Sequence, residues 1–311
     1  MSDWLFLCGI LSGVTTWLFG FGGGFVTVPL LYFLVTGAWG AQSVVGQQAM
    51  HIAVATSALV MLCSALLASW RHARTGTLRW RRLWAMLTGI AVGGTAGALL
   101  ALEASGAWIR WLFVIYLLAT VADCYLRAGF MTPPSHRVIP TVPHELTVGG
   151  IIGLIASFLG VGGSVMTVPL MRRRGVLMAE AAGMANVLTL PLAATATLTW
   201  LLMSWLSPVA LPNGFVGNIW LSAAAQLVAG SWLGLKIASR WLARLPELFL
   251  LVVQHFVDNL LFMQGIRIVG WPVIHLFQQR FLGLIAHKDM EMLGLARRDG
   301  VIAKLNKLRR F

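Results

Sequence analysis

The apolar residues of this chain lie in long runs that few charged residues interrupt. A helix needs about 18 residues or more to cross a bilayer. Six runs reach that length, at roughly 44–68, 83–102, 108–126, 179–204, 215–236 and 246–263. Two further runs, 4–36 and 146–171, each contain a cluster of glycines. The pattern predicts an all-α polytopic integral membrane protein.

Composition agrees with this prediction. The chain is 58% hydrophobic and 11% charged, whereas a soluble domain carries roughly 25% charged residues. The first basic residue is Arg71, and the net charge of +13 comes from short loops between apolar runs and from the C-terminal segment. Basic clusters at membrane boundaries set topology and contact anionic lipids. We therefore expect membrane lipids, and no nucleic acid, as partners of these residues.

The chain repeats itself once. The stretch FGFGGGFVTVPLL begins at Phe19, and LGVGGSVMTVPLM begins at Leu159, 140 positions later. Internal duplication of this kind is common in transporters. We divide the chain into a first transmembrane repeat at 1–126, a Pro-rich loop at 127–145, a second transmembrane repeat at 146–263 and a basic amphipathic tail at 264–311.

The two glycine-broken runs allow two arrangements, a single kinked helix or a re-entrant hairpin. Cytoplasmic loops are rich in Lys and Arg, and the basic loop that starts at Arg71 is expected there. Only a hairpin at 146–171 brings Arg172, Arg173 and Arg174 to the same side. The hairpin makes the halves an inverted repeat of about four hydrophobic segments each. It also puts the tail at 264–311 outside, against the charge rule, so the side of the tail stays open.

The glycine clusters suggest an anion site. Glycines let the backbone turn and leave its N–H groups uncovered, and a helix N-terminus carries partial positive charge. Close helix packing is the alternative role. Pro29 and Pro169 are expected to be structural, in the first turn of the new helices, where a missing N–H costs least. The expected substrate contacts are Gly22, Gly23, Gly24, Phe25 and Thr27 in the first half and Gly162, Gly163, Ser164, Val165 and Thr167 in the second.

A second polar patch follows each motif. It contains His51, Thr56 and Ser57 in the first half and Asn186 in the second. Polar side chains inside spans usually face the bundle interior or a cavity, so these four are further candidates for the substrate site. The halves match there if Thr56-Ser57 corresponds to Ala185-Asn186. For Ser and Thr, a bond back to their own helix is the alternative.

No pattern in the sequence points to an enzyme. No Ser-His-Asp, metal-ligand or paired-carboxylate set is recognisable, so no catalytic residue, metal or cofactor is expected. The stretch GFGGGF departs from the dinucleotide-binding pattern G-x-G-x-x-G, and no Lys follows it as in a phosphate-binding loop.

These motifs resemble a known family. GFGGGFVTVPLL and GVGGSVMTVPLM are similar to the duplicated signature of the sulfite exporter TauE/SafE family, also called TSUP. HIAVATSALV with ASWRHARTG resembles its Ala-Thr-Ser segment and basic loop, and GNIWLSAAAQLVAGSWLGLKIASRWL its later span. The resemblance covers about 1–263. The second half has Ala185-Asn186 where the family often shows Thr-Ser, which allows a different substrate.

The resemblance implies a multi-pass carrier in the inner membrane. Its substrates would be small sulfur-containing anions such as sulfite or sulfoacetate, moved with a coupling ion, a proton or sodium. The favoured hypothesis is thus a secondary transporter that works by alternating access around a midplane anion site. The alternatives are a membrane-embedded enzyme, a non-transporting scaffold whose basic tail binds lipid or a partner, and a carrier for an unrelated small solute.

Overall fold

A computed structural model describes residues 2–19, 24–74, 83–126, 141–206 and 211–242, and every structural statement below concerns these residues. The expected span 246–263, the tail and most of the inter-repeat loop lie outside them. The helices are α1 Ser2–Phe19, α2 Gly24–Trp39, α3 Val44–Gln47, α4 Ala49–Arg74, α5 Trp84–Glu103, α6 Gly106–Leu126, α7 Val142–Leu159, α8 Ser164–Arg173, α9 Met178–Leu206 and α10 Leu221–Ile237.

The predicted membrane architecture is confirmed. Five of the described helices are long and apolar enough to cross a bilayer, namely α4, α5, α7, α9 and α10. Shorter apolar helices lie within α1, α2 and α6. The apolar runs at 83–102, 108–126 and 179–204 correspond to α5, α6 and α9 within a few residues. The chain is an all-α, multi-pass membrane protein.

Two of the expected spans begin differently from the apolar runs. The run 215–236 starts with a β-hairpin, in which Phe215–Val216 pairs with Ile219–Trp220, and becomes helical only at Leu221. Gly217 in its turn has φ 54°, in the left-handed region that glycine adopts most readily. The run 44–68 is divided at Gln48, which separates the single turn α3 from the long helix α4.

Local sequence explains the bounds of α7 and α8. Thr141 is the N-cap residue of α7, and Pro143 and Glu145 stand in its first turn, where proline and acidic residues are favourable. Gly160 ends α7 with φ 68°, because the left-handed conformation that closes a helix suits glycine. Arg172 and Arg173 stand in the last turn of α8, beside the negative end of its dipole.

The two halves exchange their first helices. The helix α1 packs along α10 of the second half, while α7 packs along α5 of the first half. Glycines make this close approach possible: a Cβ on Gly9 or Gly13 would collide with the backbone of α10, and one on Gly149 or Gly153 with the backbone of α5. Small residues at such interfaces let apolar helices gain van der Waals contact. The packing role proposed for glycine therefore applies to these four.

The glycine contacts also set the register between the halves. Gly230 faces the Phe6 carbonyl and Gly89 faces the Leu146 carbonyl, so Gly89 and Gly230 occupy matching places. Gly93 and Gly234 match in the same way. From the sequence alone, the similar glycine spacing of 93–97 and 230–234 predicts instead that Gly93 corresponds to Gly230 and Gly97 to Gly234. That prediction was wrong by one helical turn, because similar spacing does not show which residue faces the partner backbone.

Side-chain contacts fix the helix directions. At the start of α4, His51 bonds to the carbonyl of Ala104, just beyond the end of α5, at 2.9 Å, and its ring packs against Trp200 near the end of α9. Near the end of α4, Arg71 donates to the Leu235 carbonyl near the end of α10, at 2.8 Å. Thus α4 and α10 run one way, while α5 and α9 run the other.

The start and the end of each glycine-broken segment lie on the same side of the molecule. Arg174, at the end of α8, pairs with Glu145 in the first turn of α7 at 2.6 Å. In the other half, α1 runs parallel to α10, and Trp39 at the end of α2 packs on Trp220 at the start of α10, with centroids 5.0 Å apart. This is the geometry of a hairpin rather than of a kinked through-going helix.

The two arms of the second hairpin differ in length, and the first arm begins earlier than its apolar run suggested. The helix α7 begins at Val142, inside the range 127–145, and its 18 residues reach about 27 Å. The helix α8 has only 10 residues and reaches about 15 Å. The arms α7 and α8 enclose, together with α6, a cavity of about 400 Å³ that is lined mostly by apolar side chains such as Ile152 and Leu170.

Candidate functional site

The two glycine breaks meet in the interior. A Cβ added to Gly24, the first residue of α2, would lie 2.7 Å from the carbonyl oxygen of Gly160 and would collide with Met61. A Cβ added to Gly160 would in turn lie 2.9 Å from the Cα of Val54. The start of α2 therefore touches the end of α7 beside the middle of α4. Side chains at these positions would separate them.

The second break leaves the first backbone donors of α8 outside that helix's own hydrogen bonding. The helix α7 closes with bonds from Gly160 N–H to Ser157 and from Val161 N–H to Ala156, at 3.2 and 2.9 Å. Bonding within the next helix begins with the N–H of Val165, which donates to the Gly162 carbonyl at 3.3 Å. The N–H groups of Gly162, Gly163 and Ser164 come earlier, among the first donors that a helix cannot satisfy internally. They form the positive end of the α8 dipole.

Four buried polar side chains on α7, α8 and α9 have an atom without a hydrogen-bond partner among the described residues. They are at most 1% exposed. An unpartnered buried polar atom costs on the order of 1–3 kcal/mol, and several together favour a site that a polar ligand or water completes. The atoms are Ser157 Oγ, Ser164 Oγ, Thr167 Oγ1 and Asn186 Oδ1.

Two polar side chains, one from each half, bond to the end of the other half's first helix. Ser57 on α4 donates to the Gly160 carbonyl at the end of α7, at 2.6 Å. Asn186 on α9 donates through Nδ2 to the Thr16 carbonyl near the end of α1, at 3.2 Å. These are the two positions that the correspondence of Thr56-Ser57 with Ala185-Asn186 pairs. Both therefore hold the end of the opposite half's first helix.

Other expected site residues have bonds of their own or lie elsewhere. Thr56 accepts the backbone N–H of Trp220 at 3.0 Å, and Thr27 donates to the Gly24 carbonyl at 3.3 Å. His51 lies nearly two helical turns from Ser57, toward the start of α4, where it bonds to Ala104. Gly22 and Gly23 fall outside the described residues, as does the side chain of Phe25.

Pro29 and Pro169 were expected in the first turn of the new helices, but both lie beyond it. Each is the sixth residue of its helix, α2 or α8. A proline there removes the N–H that would bond to the carbonyl four residues earlier, which in α8 belongs to Val165. Val165 itself is 3% exposed and lines the cavity between α7 and α8. The prolines thus leave a polar carbonyl one turn from each break.

Ser157 and Met61 belong to the candidate site, although no pattern in the sequence pointed to them. Ser157 stands three residues before Gly160, in the last turn of α7, and was absent from the polar patches because it precedes the glycines. Met61 lies beside the break only because α4 crosses the two hairpins at this level. Within the described part of the chain, no three His, Cys, Asp or Glu side chains stand close enough together to hold a metal ion.

Comparison with known proteins agrees with this architecture. The family model "Sulfite exporter TauE/SafE" matches residues 5–257. A probable membrane transporter protein of Haemophilus influenzae is 28% identical over 81% of this chain and 97% of its own length. Probable membrane transporter proteins of Bacillus subtilis and Methanocaldococcus jannaschii are 25% and 26% identical over 76% and 54% of this chain, and over 86% and 60% of their own lengths.

No solved structure gives a significant match to the chain. The family model nevertheless spans both glycine-broken segments and the helices between them, and the relatives carry the name of membrane transporters. The chain belongs to the sulfite exporter TauE/SafE family and is a membrane transporter.

Proposed function

We propose that the chain is a secondary transporter of small anions, sulfite or an organosulfonate such as sulfoacetate. The observation that carries this proposal is the meeting of the two glycine breaks at Gly24 and Gly160, surrounded by buried polar atoms without partners. The anion binds there, at the start of α8. Its oxygens accept hydrogen bonds from the N–H groups of Gly162, Gly163 and Ser164 and from the hydroxyls of Ser164 and Thr167.

The chemistry of the site favours an anion over a cation. Its described donors are helix N-terminal N–H groups and hydroxyls, all of them uncharged, whereas the free atom of Asn186 is the acceptor Oδ1. A helix N-terminus carries about half a positive charge, which attracts an anion without holding it as tightly as a buried Lys or Arg. A carrier has to release its substrate, so moderate attraction suits transport. In the first half, Gly22, Gly23 and Phe25 are assigned the matching role from their place in the repeat.

The helix directions support transport by alternating access. In the proposed inverted repeat, α1, α4 and α5 correspond to α7, α9 and α10, and each pair runs in opposite directions. A site between inverted halves can open to either side when one half moves against the other. The first helix of each half packs against a helix of the other half. We therefore expect each hairpin to move as one body with its glycine-packed partner, α10 or α5.

Charge assigns the sides of the membrane. One end of the molecule carries Arg71, Arg174, Lys236 and Arg240 at the ends of α4, α8 and α10. By the positive-inside rule this end is cytoplasmic, and the proposed location is the cell inner membrane. The other end, with Trp39, Trp220 and the start of α4, faces outside.

The test is flux of radiolabelled sulfite in proteoliposomes, with sulfate and sulfoacetate as competitors and with an imposed proton or sodium gradient. The double variant Ser164→Ala, Thr167→Val removes two hydroxyls that have no partner among the described residues, so it should fold normally. Thr199→Val is the matched control, since that hydroxyl bonds only to Thr195 of its own helix. Saturable flux that the double variant loses and the control keeps supports the proposal. Absence of flux for all three anions removes the sulfur-anion assignment.

A further inference from the structure

A second cavity, with more polar side chains in its wall, lies at the opposite end of α4 from the basic residues. It has a volume of about 360 Å³. Its wall comes from the start of α4, the end of α5, the end of α9 and the β-hairpin, through side chains that include His51, Glu103, Trp200 and Asn218. We call it the His51 pocket. The substrate site proposed above does not use it.

His51 lines this pocket and has one ring nitrogen without a hydrogen-bond partner among the described residues. Its Nε2 lies 2.9 Å from the carbonyl oxygen of Ala104. A carbonyl oxygen only accepts hydrogen bonds, so Nε2 carries a hydrogen in either protonation state. The other nitrogen, Nδ1, is buried and has no hydrogen-bond partner among the described residues, in a side chain that is 9% exposed.

Trp200 also lines this pocket and has a buried donor without an acceptor among the described residues. Its side chain is 2% exposed, and its ring stands edge-on to the His51 ring with centroids 6.1 Å apart. The indole Nε1–H can only donate, and it has no acceptor among the described residues. Burying such a group without a partner is costly. Two neighbouring groups of this kind, on different helices, indicate a ligand rather than an accident of packing.

We propose that the His51 pocket is a second binding site, which takes a small oxyanion together with one proton. The indole of Trp200 donates to one oxygen. A bond between Nδ1 and another oxygen needs a hydrogen between them, either on an imidazolium or on a hydroxyl of the anion. The bound complex therefore holds one proton between Nδ1 and the ligand oxygen, brought either by His51 or by the anion. The class of ligand rests on the proposed function; the requirement for a donor and a shared proton rests on His51 and Trp200.

The charged surroundings fit this assignment. Glu103 on α5 is exposed at the rim of the pocket. Its carboxylate favours protonation of His51 and weakens binding of the anion, but water screens both effects. Arg110 on α6 donates to the hydroxyl of Tyr32 at 3.0 Å. The described residues that line the pocket from α9 and the β-hairpin are uncharged. His51 is thus the titratable group best placed to share its proton with the ligand.

The test is saturation binding of radiolabelled sulfite to the purified full chain in detergent. Trp200→Phe keeps the ring and removes the donor, and Trp205→Phe is its control, on the same helix but 84% exposed. His51→Gln keeps a donor for Ala104 and removes Nδ1. The double variant Ser164→Ala, Thr167→Val reports on the site at the breaks.

We expect two classes of site in the wild type. Trp200→Phe and His51→Gln should each weaken one class by roughly ten-fold or more, since a bond to a charged ligand is lost, and Trp205→Phe should weaken neither. With labelled sulfate in place of sulfite, whose own protonation would change over this range, that class should also bind less tightly as the pH rises from about 6 to about 8, and His51→Gln should abolish the dependence. The break variant should weaken the other class alone.

Two results would overturn the proposal in different ways. A single class of site that only the break variant weakens would leave the proposed transport function intact and reduce the His51 pocket to a water-filled vestibule. No binding of sulfite, sulfate or sulfoacetate to the wild type would remove both the pocket's ligand and the proposed function.

Discussion

Arg174, at the end of α8, and Glu145, in the first turn of α7, form an ion pair with a nitrogen–oxygen distance of 2.6 Å. The pair joins the two ends of one glycine-broken segment and so closes the hairpin. Both side chains are largely buried, at 12% and 9% exposed. A pair in this setting stabilises a particular arrangement, because either charge left alone would be poorly solvated.

We expect Glu145→Gln to lower the stability of the folded protein by roughly 3 kcal/mol or more, since it leaves the Arg174 guanidinium without its partner. Thermal unfolding in detergent measures this loss. The double variant Glu145→Leu, Arg174→Leu should lose much less, because it removes both charges. Equal losses in the single and double variants would mean that the ion pair does not hold the hairpin closed.

The packing glycines should respond to substitution according to the backbone they face. Gly93→Ala should destabilise the protein strongly, because the added methyl would collide with the Gly150 carbonyl and separate α5 from α7. Gly150→Ala is the matched control, since the nearest atom to its methyl lies 3.8 Å away. The midpoint of thermal unfolding should fall in the first variant and stay in place in the second. Similar midpoints would contradict the glycine-mediated contact.

The bond from Ser57 to the Gly160 carbonyl should matter more for transport than for stability. Ser57→Ala should lower the free energy of unfolding by about 1 kcal/mol. It should reduce saturable flux more severely, because the bond positions the start of the second break. Ser64→Ala, which removes a bond between buried Ser64 and Ser231 at 2.8 Å, is the control for the loss of a hydroxyl on the same helix. Parallel effects on flux in both variants would assign Ser57 a general packing role.

The proposed inverted repeat places the ends of the two hairpins on opposite membrane sides. A single cysteine at Gly37, in the last turn of α2, should react with a membrane-impermeant thiol reagent from outside. A cysteine at Leu177, after α8 and 56% exposed, should react only from the cytoplasmic side. The native Cys8, Cys63 and Cys124 are first replaced by alanine. Labelling of both positions from one side would exclude the inverted arrangement.

The sequence was informative wherever one chemical requirement dominates. Helices such as α5 and α9 follow from the length of their apolar runs, and the breaks follow from glycines in places where a helix would otherwise continue. The β-hairpin before α10 was missed, because its apolar residues continue the run and only Gly217 and Asn218 mark the turn. Periodicity cannot distinguish such a strand from the start of a helix.

The candidate site could be predicted only in part, because it depends on contacts between the halves. The motif pointed to Gly24, Ser164 and Thr167, which lie at or beside the two breaks. It could not show that Ser57 donates to the Gly160 carbonyl or that His51 lines a separate pocket. Both facts depend on contacts between helices that are far apart in the sequence. The register of Gly89 and Gly93 was hidden for the same reason.

The central claim is that the anion binds at the meeting of the two breaks, and Gly163→Ala tests it most directly. Gly163 has an ordinary right-handed conformation, and its added methyl would meet only side-chain atoms of Ile152 and Leu192, at 3.4 Å. The variant should therefore fold, with a methyl over the donors of α8. We predict that its saturable sulfite flux in proteoliposomes falls roughly ten-fold with unchanged thermal stability, a loss comparable to one bond to a charged group. Flux equal to that of Gly150→Ala and the wild type would contradict the account.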